Sequence, residues 1–253
     1  RQHDHQQGVE HGPHHKGSTR GSPNGRTIKG VITIARIRSE FPAKFGVPRQ
    51  SGLVPELRAS VVFEPEFRNP DMVRGLDGFS HLWLIWQFSG TVDQGWSPTV
   101  RPPRLGGETR MGVFATRSPF RPNPIGLSCV RLLEVDVRPE LGPVLTVGGA
   151  DLMDDTPILD IKPYVGADLH PDATAGFTAT NPNYRVEVQI PDDVLERIPA
   201  DRRGALLGVL AEDPRPAYQD DPNRVYGMGF AGLNVRFTVT GRVLSVVEVQ
   251  QVG

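Results

Sequence analysis

The chain has 253 residues, enough for one large or two modest domains, and 38% hydrophobic with 23% charged residues is soluble-globular composition. A net charge of −1 excludes a uniformly basic nucleic-acid binder, so any such surface must be a local patch. A lone cysteine, Cys129, excludes an intrachain disulfide and fits a reducing, cytoplasmic compartment, and no apolar run approaches the ~20 residues of a membrane span.

Residues 1–26 carry five of the seven histidines and almost nothing apolar. Such a segment cannot offset its ordering entropy by burial, so it reads as a disordered arm rather than a metal-binding tail. Beyond it, His81 and His170 with one cysteine cannot assemble a zinc or iron site, and no structural metal is expected.

The first domain is expected over residues 27–166. Residues 28–38 alternate as a strand and are followed by a loop containing Pro48, Arg49 and Gln50. A second strand follows at 57–63, with one helical turn at 71–76. Residues 79–88, FSHLWLIWQF, are apolar nearly throughout, the mark of a strand covered on both faces, with Trp83, Trp86 and His81 as core. Ser89 and Gly90 end it and open a loop where a ligand could approach backbone amides.

Arg101, Arg104, Arg110, Arg117 and Arg121 then put five arginines within 21 residues, with Glu108 the only acid among them. This density suits phosphates or a carboxylate, though a solvated loop reads the same way. Residues 111–128, MGVFATRSPFRPNPIGLS, start as a strand, break into a loop stiffened by Pro119, Pro122 and Pro124, and resume as a strand at Ile125. That loop presents Arg117, Arg121 and Asn123 in set directions. Strands follow at 127–137, 144–147 and 158–161, with Asp154, Asp155, Thr156 and Pro157 forming an acidic turn. Cys129 lies mid-strand, where burial makes a thiol inert.

Residues 167–183 form a linker rich in Asp, Thr, Ala and Pro, and a small α+β domain is expected over 184–253. It has an alternating strand at 184–190 and a helix at 192–210 divided by Pro199. Its apolar face is Val194, Leu195, Ile198, Leu206, Val209 and Leu210. A second stiff loop, DPRPAY, holds Asp213, Arg215 and Tyr218, and strands follow at 225–230, 234–240 and 244–249. The fold class is mainly β. Dinucleotide, P-loop and nucleophile-elbow signatures are absent, which leaves chemistry that needs binding and alignment.

The run GVFATRSPFRPNPIGLS resembles the signature of the TsaA-like family, the tRNA threonylcarbamoyladenosine N6-methyltransferases called TrmO. FGVPRQSGLV, GLDGFSHLWLIWQF, RPPRLGG, DLMDDTPILDIKPYV and DPRPAY resemble further blocks, in the family's order, from about residue 28 to 249. The resemblance implies an N-terminal β-barrel, a small α+β C-terminal domain, a homodimer, and methyl transfer from S-adenosylmethionine to N6 of threonylcarbamoyladenosine beside the anticodon of tRNA. It implies a cofactor site of Pro48, Arg49, Gln50, Ser89, Gly90, Arg117, Leu127, Asp154, Asp155, Thr156 and Pro157. On the substrate side it implies Arg121 and Asn123, with Asp213, Arg215 and Tyr218, the last three supplied across the dimer. Asp155 stands where the family turn usually reads Asp-Gly-Thr-Pro; if that glycine served a positive φ, aspartate tolerates it. The family mechanism would be direct in-line transfer without a covalent intermediate, the threonine carboxylate giving arginine a bidentate handle. A methyltransferase of small molecules and a non-catalytic tRNA- or nucleotide-binding module are the alternatives.

Overall fold

The computed structural model describes residues 30–102, 105, 109–180, 184–216 and 221–252, and the structural statements below concern these. The His-rich arm, Arg104, Glu108 and Tyr218 lie outside them.

Six strands with period-2 apolar patterns close into an antiparallel barrel. They are β1 (Ala35–Arg38), β2 (Arg58–Phe63), β3 (His81–Gln87), β6 (Ile125–Arg138), β7 (Gly142–Gly148) and β8 (Pro157–Pro163), in the order β1-β2-β7-β6-β3-β8. A two-stranded ribbon, β4 (Thr99–Val100) with β5 (Met111–Gly112), stands between β3 and β6 in sequence. Alternate side chains point inward, and Ile37, Val61, Leu82, Leu84, Leu145 and Ile158 fill the barrel. Closure removes the free edges that so many short strands would otherwise leave.

Three local expectations are corrected. The apolar run of β3 predicts burial on both faces, yet the strand alternates, with Leu82, Leu84 and Trp86 inside and His81, Trp83 and Ile85 only partly covered. The barrel has one interior, and the outer aromatics are shielded by the chain that leaves β8: Tyr164 lies 5.9 Å from the Trp83 ring, and Trp83 Nε1 donates to Asp168 Oδ2 at 2.9 Å. The strand expected from residue 111 ends after Gly112. Val113–Ala115 is a 3-10 turn, closed by Thr116 N and Thr116 Oγ1 on the Val113 carbonyl. The turn at 71–76 is two 3-10 turns, Pro70–Val73 and Leu76–Gly78, separated by Gly75 at φ 81°.

The second sheet runs β10 (Tyr226–Phe230), β11 (Leu233–Thr240), β12 (Val243–Gln251) and β9 (Glu187–Gln189). The strand expected over 184–190 pairs only through Glu187–Gln189, parallel to β12. The helix divides as Pro199 dictates, into α1 (Asp192–Leu195) and α2 (Ala200–Ala211), because proline offers no N–H to the preceding turn. Val194, Ile198, Leu206, Val209 and Leu210 are buried on the sheet, and Leu195 packs partly against it. No described helix is long and apolar enough to cross a membrane.

Residues 39–57, between β1 and β2, leave the barrel and enter this second core through Phe41, Val54 and Leu57. Each large apolar side chain so buried is worth ~1.5–3 kcal/mol. Phe41 meets Phe230 edge-on at 5.5 Å, and Phe45 stacks on Phe237 at 6.4 Å. Gly46 makes the approach possible: it sits at φ 98°, and a Cβ there would lie 2.2 Å from Met228 Sδ. Gly46→Ala combines an unfavourable φ with overpacking and should cost about 2 kcal/mol, read as a lower urea midpoint with an unchanged slope.

Candidate functional site

Where residues 39–57 return toward the barrel, a cavity of about 480 Å3 opens between them and the barrel mouth. Its apolar wall includes Trp86 and Phe88 from the end of β3, Leu127 from β6, and Leu152. Its cations are Lys44, Arg49, Arg117 and Arg121, and among the described lining residues Asp151 is the one carboxylate.

The walls are held by short-range turns. Ser89 N reaches Gln87 O at 2.8 Å and Phe88 N reaches Pro124 O at 2.8 Å, tying the end of β3 to the proline loop. Within that loop Arg121 N bonds Pro119 O at 2.9 Å and Ile125 N bonds Asn123 O at 2.7 Å, two three-residue turns fixed around Phe120 and Pro124. Arg121 Nη1 donates to the Thr116 carbonyl at 3.2 Å, which ties this lining side chain to the start of the loop. A chain of bonds then crosses the mouth. Arg117 Nη1 donates to Gln50 Oε1 at 2.5 Å, Gln50 Nε2 to the Arg49 carbonyl at 2.5 Å, and Arg49 Nη2 to the Asp213 carbonyl at 3.2 Å.

Of the residues singled out from sequence, Pro48, Arg49, Gln50, Ser89 and Gly90 line the cavity together with Arg117, Arg121, Leu127 and Thr156. Others do not. Asn123 is exposed on the loop rim. Asp154 and Asp155 turn their carboxylates toward β1: Asp154 Oδ1 accepts from Ser39 N at 3.0 Å, and Asp155 pairs with Arg36 at 3.1 Å and Arg38 at 2.9 Å. Pro157 opens β8 opposite Arg36. Asp155 does adopt the left-handed φ, at 62°. Tyr218 is not among the described residues.

Asp213 and Arg215 line a second cavity of about 340 Å3, which shares Lys44, Val47, Pro48 and Arg49 with the first. Their charged ends are buried and face each other, with Arg215 Nε and Nη2 each 2.9 Å from a carboxylate oxygen of Asp213, and the Tyr184 hydroxyl donates to the same carboxylate at 3.0 Å. Burial works against the Asp213 charge, but the Arg215 hydrogen bonds and charge together with Tyr184 outweigh it and hold the carboxyl below its usual range.

Sequence reasoning missed Asp151, the first acid of DLMDDTP, and assigned Trp86 to the core alone, whereas it is buried and also faces the cavity. Ser128 Oγ donates to Asp151 Oδ1 at 2.5 Å and accepts from Trp86 Nε1 at 2.9 Å. Burial raises the Asp151 carboxyl above its usual range, against the opposing pull of Ser128, backbone amides and Arg117. Cys129 is partly buried in β6, and burial raises its thiol as well, which disfavours the thiolate.

A closed antiparallel barrel with a cation-rimmed, half-apolar cavity at its mouth defines a barrel-type small-ligand site, unrelated to the doubly wound sheets that bind nucleotides at strand ends. The tRNA-methyltransferase O N-terminal domain model matches residues 36–168, and the TrmO C-terminal domain model matches residues 185–252. The chain belongs to the TrmO family. It is 44% identical over 216 residues to the tRNA (adenine(37)-N6)-methyltransferase of Escherichia coli K12, covering 82% of this chain and 92% of that protein. It is 40% identical over 218 residues to a Pseudomonas aeruginosa protein named "Putative S-adenosylmethionine-dependent methyltransferase RcsF", covering 82% and 91%. A crystal structure of TrmO from P. aeruginosa superposes with a TM-score of 0.70 at 33% identity, covering 89% of this chain and 98% of that one.

Asp213→Asn would take away the carboxylate charge that meets buried Arg215 in two 2.9 Å bonds and should cost about 3 kcal/mol. Because the Asp213 carboxyl titrates lower in the folded chain than in the unfolded one, its share of stability is present above about pH 4 and is lost as pH falls through the folded value. Denaturation curves between pH 7 and pH 3 should show that loss in the wild type and a smaller acid sensitivity in D213N.

Proposed function

We infer that the chain methylates N6 of threonylcarbamoyladenosine at position 37 of tRNA, with S-adenosylmethionine as methyl donor and with the cavity at the barrel mouth as the donor's site. One observation carries the reading: one cavity gathers nine of the residues expected at the donor and substrate sites, in a chain matched by both domains of a tRNA methyltransferase family. Its volume lies in the range of small-molecule sites, and its make-up suits a ligand with an apolar base at one end and charged amino-acid groups at the other.

S-adenosylmethionine supplies a methyl group already activated on a sulfonium, so the protein's task is alignment. In this reading the turn at Ser89 and Gly90 offers backbone groups to the donor, Leu127 and Phe88 cover its apolar part, and Arg49 and Arg117 take its carboxylate. Thr156 closes the floor, while Asp154, Asp155 and Pro157 keep the turn that presents it. Arg121, with Asn123 beside it on the rim, takes the threonine carboxylate that distinguishes the modified base from adenosine. The Asp213–Arg215 pair serves by fixing the carbonyl that receives Arg49. Tyr218 completes the substrate side in a homodimer, and a tRNA substrate fits a cytoplasmic enzyme. Arg101 and Arg110 are exposed on the β4–β5 side of the mouth, where Trp96 and Phe114 are 59% and 79% exposed and offer faces on which bases stack.

Labelled donor incubated with tRNA should mark N6 only when the threonylcarbamoyl group is present. Transfer to unmodified tRNA or to a small molecule alone would overturn the reading. Arg121→Ala should lower kcat/KM for modified tRNA about ten- to a hundredfold, the worth of a charge-assisted hydrogen bond, with little change in melting temperature. Affinity for tRNA should fall steeply between 50 and 200 mM salt, with a log–log slope about one unit shallower in R101A or R110A.

A further inference from the structure

Transfer to N6 releases a proton, and the reading above gives it no acceptor. N6 of the modified base carries both a purine ring and a carbonyl, so its lone pair is delocalised and becomes nucleophilic as the N–H bond weakens. A base at the site would therefore act on the slow step. Lys44, Arg49, Arg117 and Arg121 bring hydrogen-bond donors and no acceptor. The Thr116 and Thr156 hydroxyls are spent as donors on the carbonyls of Val113 and Met153. The one carboxylate among the described lining residues is that of Asp151, and a carboxylate is a far better proton acceptor than a hydroxyl.

Resting on the methyltransferase reading, we propose that Asp151 is the catalytic base that takes the N6 proton, held in place by Ser128 and Trp86. The direction of the relay is fixed by chemistry. An indole N–H can only donate, so Trp86 occupies a lone pair of Ser128 Oγ, and the serine's one hydrogen must go to Asp151. Ser128 is fully buried, and so is its bond from Trp86, which shields the inner end of the relay from water. Gly126 is the cradle for the indole: a Cβ there would lie 2.2 Å from Trp86 Cε2. The Asp151 carboxylate thus keeps one orientation on the cavity wall, while a carboxylate's ~4 acceptor sites leave it capacity beyond Ser128. Burial strengthens it as a base, in the direction general-base catalysis needs.

In the step, the N6–H bond breaks and its proton passes to Asp151. The electron pair stays on N6 and forms the new N–C bond to the methyl carbon, as the C–S bond breaks and its pair returns to sulfur. One cation and one carboxylate become a neutral thioether and a neutral carboxylic acid, so charge balances.

Asp151→Asn keeps the side-chain volume and an oxygen for Ser128 but cannot take the proton. Single-turnover transfer to modified tRNA should fall about 10²–10⁴-fold, while calorimetric affinities for S-adenosylmethionine and for modified tRNA stay within about threefold. Ser128→Ala, which keeps the carboxylate but frees its rotation, should show a smaller fall in kcat with KM unchanged. It carries the test if D151N loses its melting transition. A D151N enzyme as fast as the wild type, or one whose loss is matched by lost donor affinity, would overturn the inference while leaving the reading intact. A wild type inert toward modified tRNA would overturn both.

Discussion

The site exists because residues 39–57 are anchored in a core to which the barrel does not belong. Phe41, Val54 and Leu57 are buried with Leu206, Phe230 and Phe237, and the segment then hands Pro48, Arg49 and Gln50 back to the barrel mouth. The C-terminal sheet and helix thereby act as a clamp for one wall of the cavity. Gly208 shows how close the clamp is, since a Cβ on that helix residue would lie 2.6 Å from Val54 Cγ1. The opposite wall is a proline loop whose turns allow it little movement. Two stiff walls from separate cores meet through the Arg117–Gln50–Arg49–Asp213 bonds, so the spacing between them is set by packing rather than by a hinge.

The electrostatics follow the same division of labour. Arginines that line the cavity make bonds chiefly to neutral acceptors (a carbonyl or an amide oxygen), which leaves their charge available to an anion. Arg215 is the opposite case, neutralised by Asp213 and withdrawn from solvent. Burying such a pair costs desolvation that Coulomb attraction recovers only with good geometry, and its two matched bonds have that geometry. What it secures is position: the Asp213 backbone, at φ 50°, presents its carbonyl to Arg49.

Much of this was legible in the residues. Apolar patterns located five of the six barrel strands to within about two residues, the strand expected over 28–38 forming only at Ala35–Arg38, and Pro199 placed the break between the helices because a missing N–H is a local fact. The packing of 39–57 was not legible: Phe41, Val54 and Leu57 look the same whichever core they join, and the choice depends on a core built from residues far along the chain, Val186 to Val249. The same limit hid Asp151. Its neighbours in sequence make a turn, while its chemistry comes from Ser128 and Trp86 on two other strands, paired only once the barrel closes. Trp86 shows that core and cavity lining are not exclusive, since one indole can pack inside the barrel, border the cavity and give its N–H to Ser128.

The acidic turn shows side chains bonding around a backbone conformation that L-residues disfavour. A left-handed φ costs an L-residue roughly 1–2 kcal/mol, least for Asp and Asn, which can bond locally. At Asp155 the side chain pairs with Arg36 and Arg38 of β1, although such exposed pairs return at most ~1 kcal/mol. The turn therefore keeps its course, with Asp154 N on the Phe41 carbonyl and Asp155 N on the Ile37 carbonyl, and Thr156 alone of the four reaches the cavity. The carboxylates in this motif hold β1 and the turn together, and the acid that faces the ligand space is the one three residues earlier. Within this stretch Asp154 and Asp155 brace β1, while Asp151, Leu152, Met153 and Thr156 line the cavity.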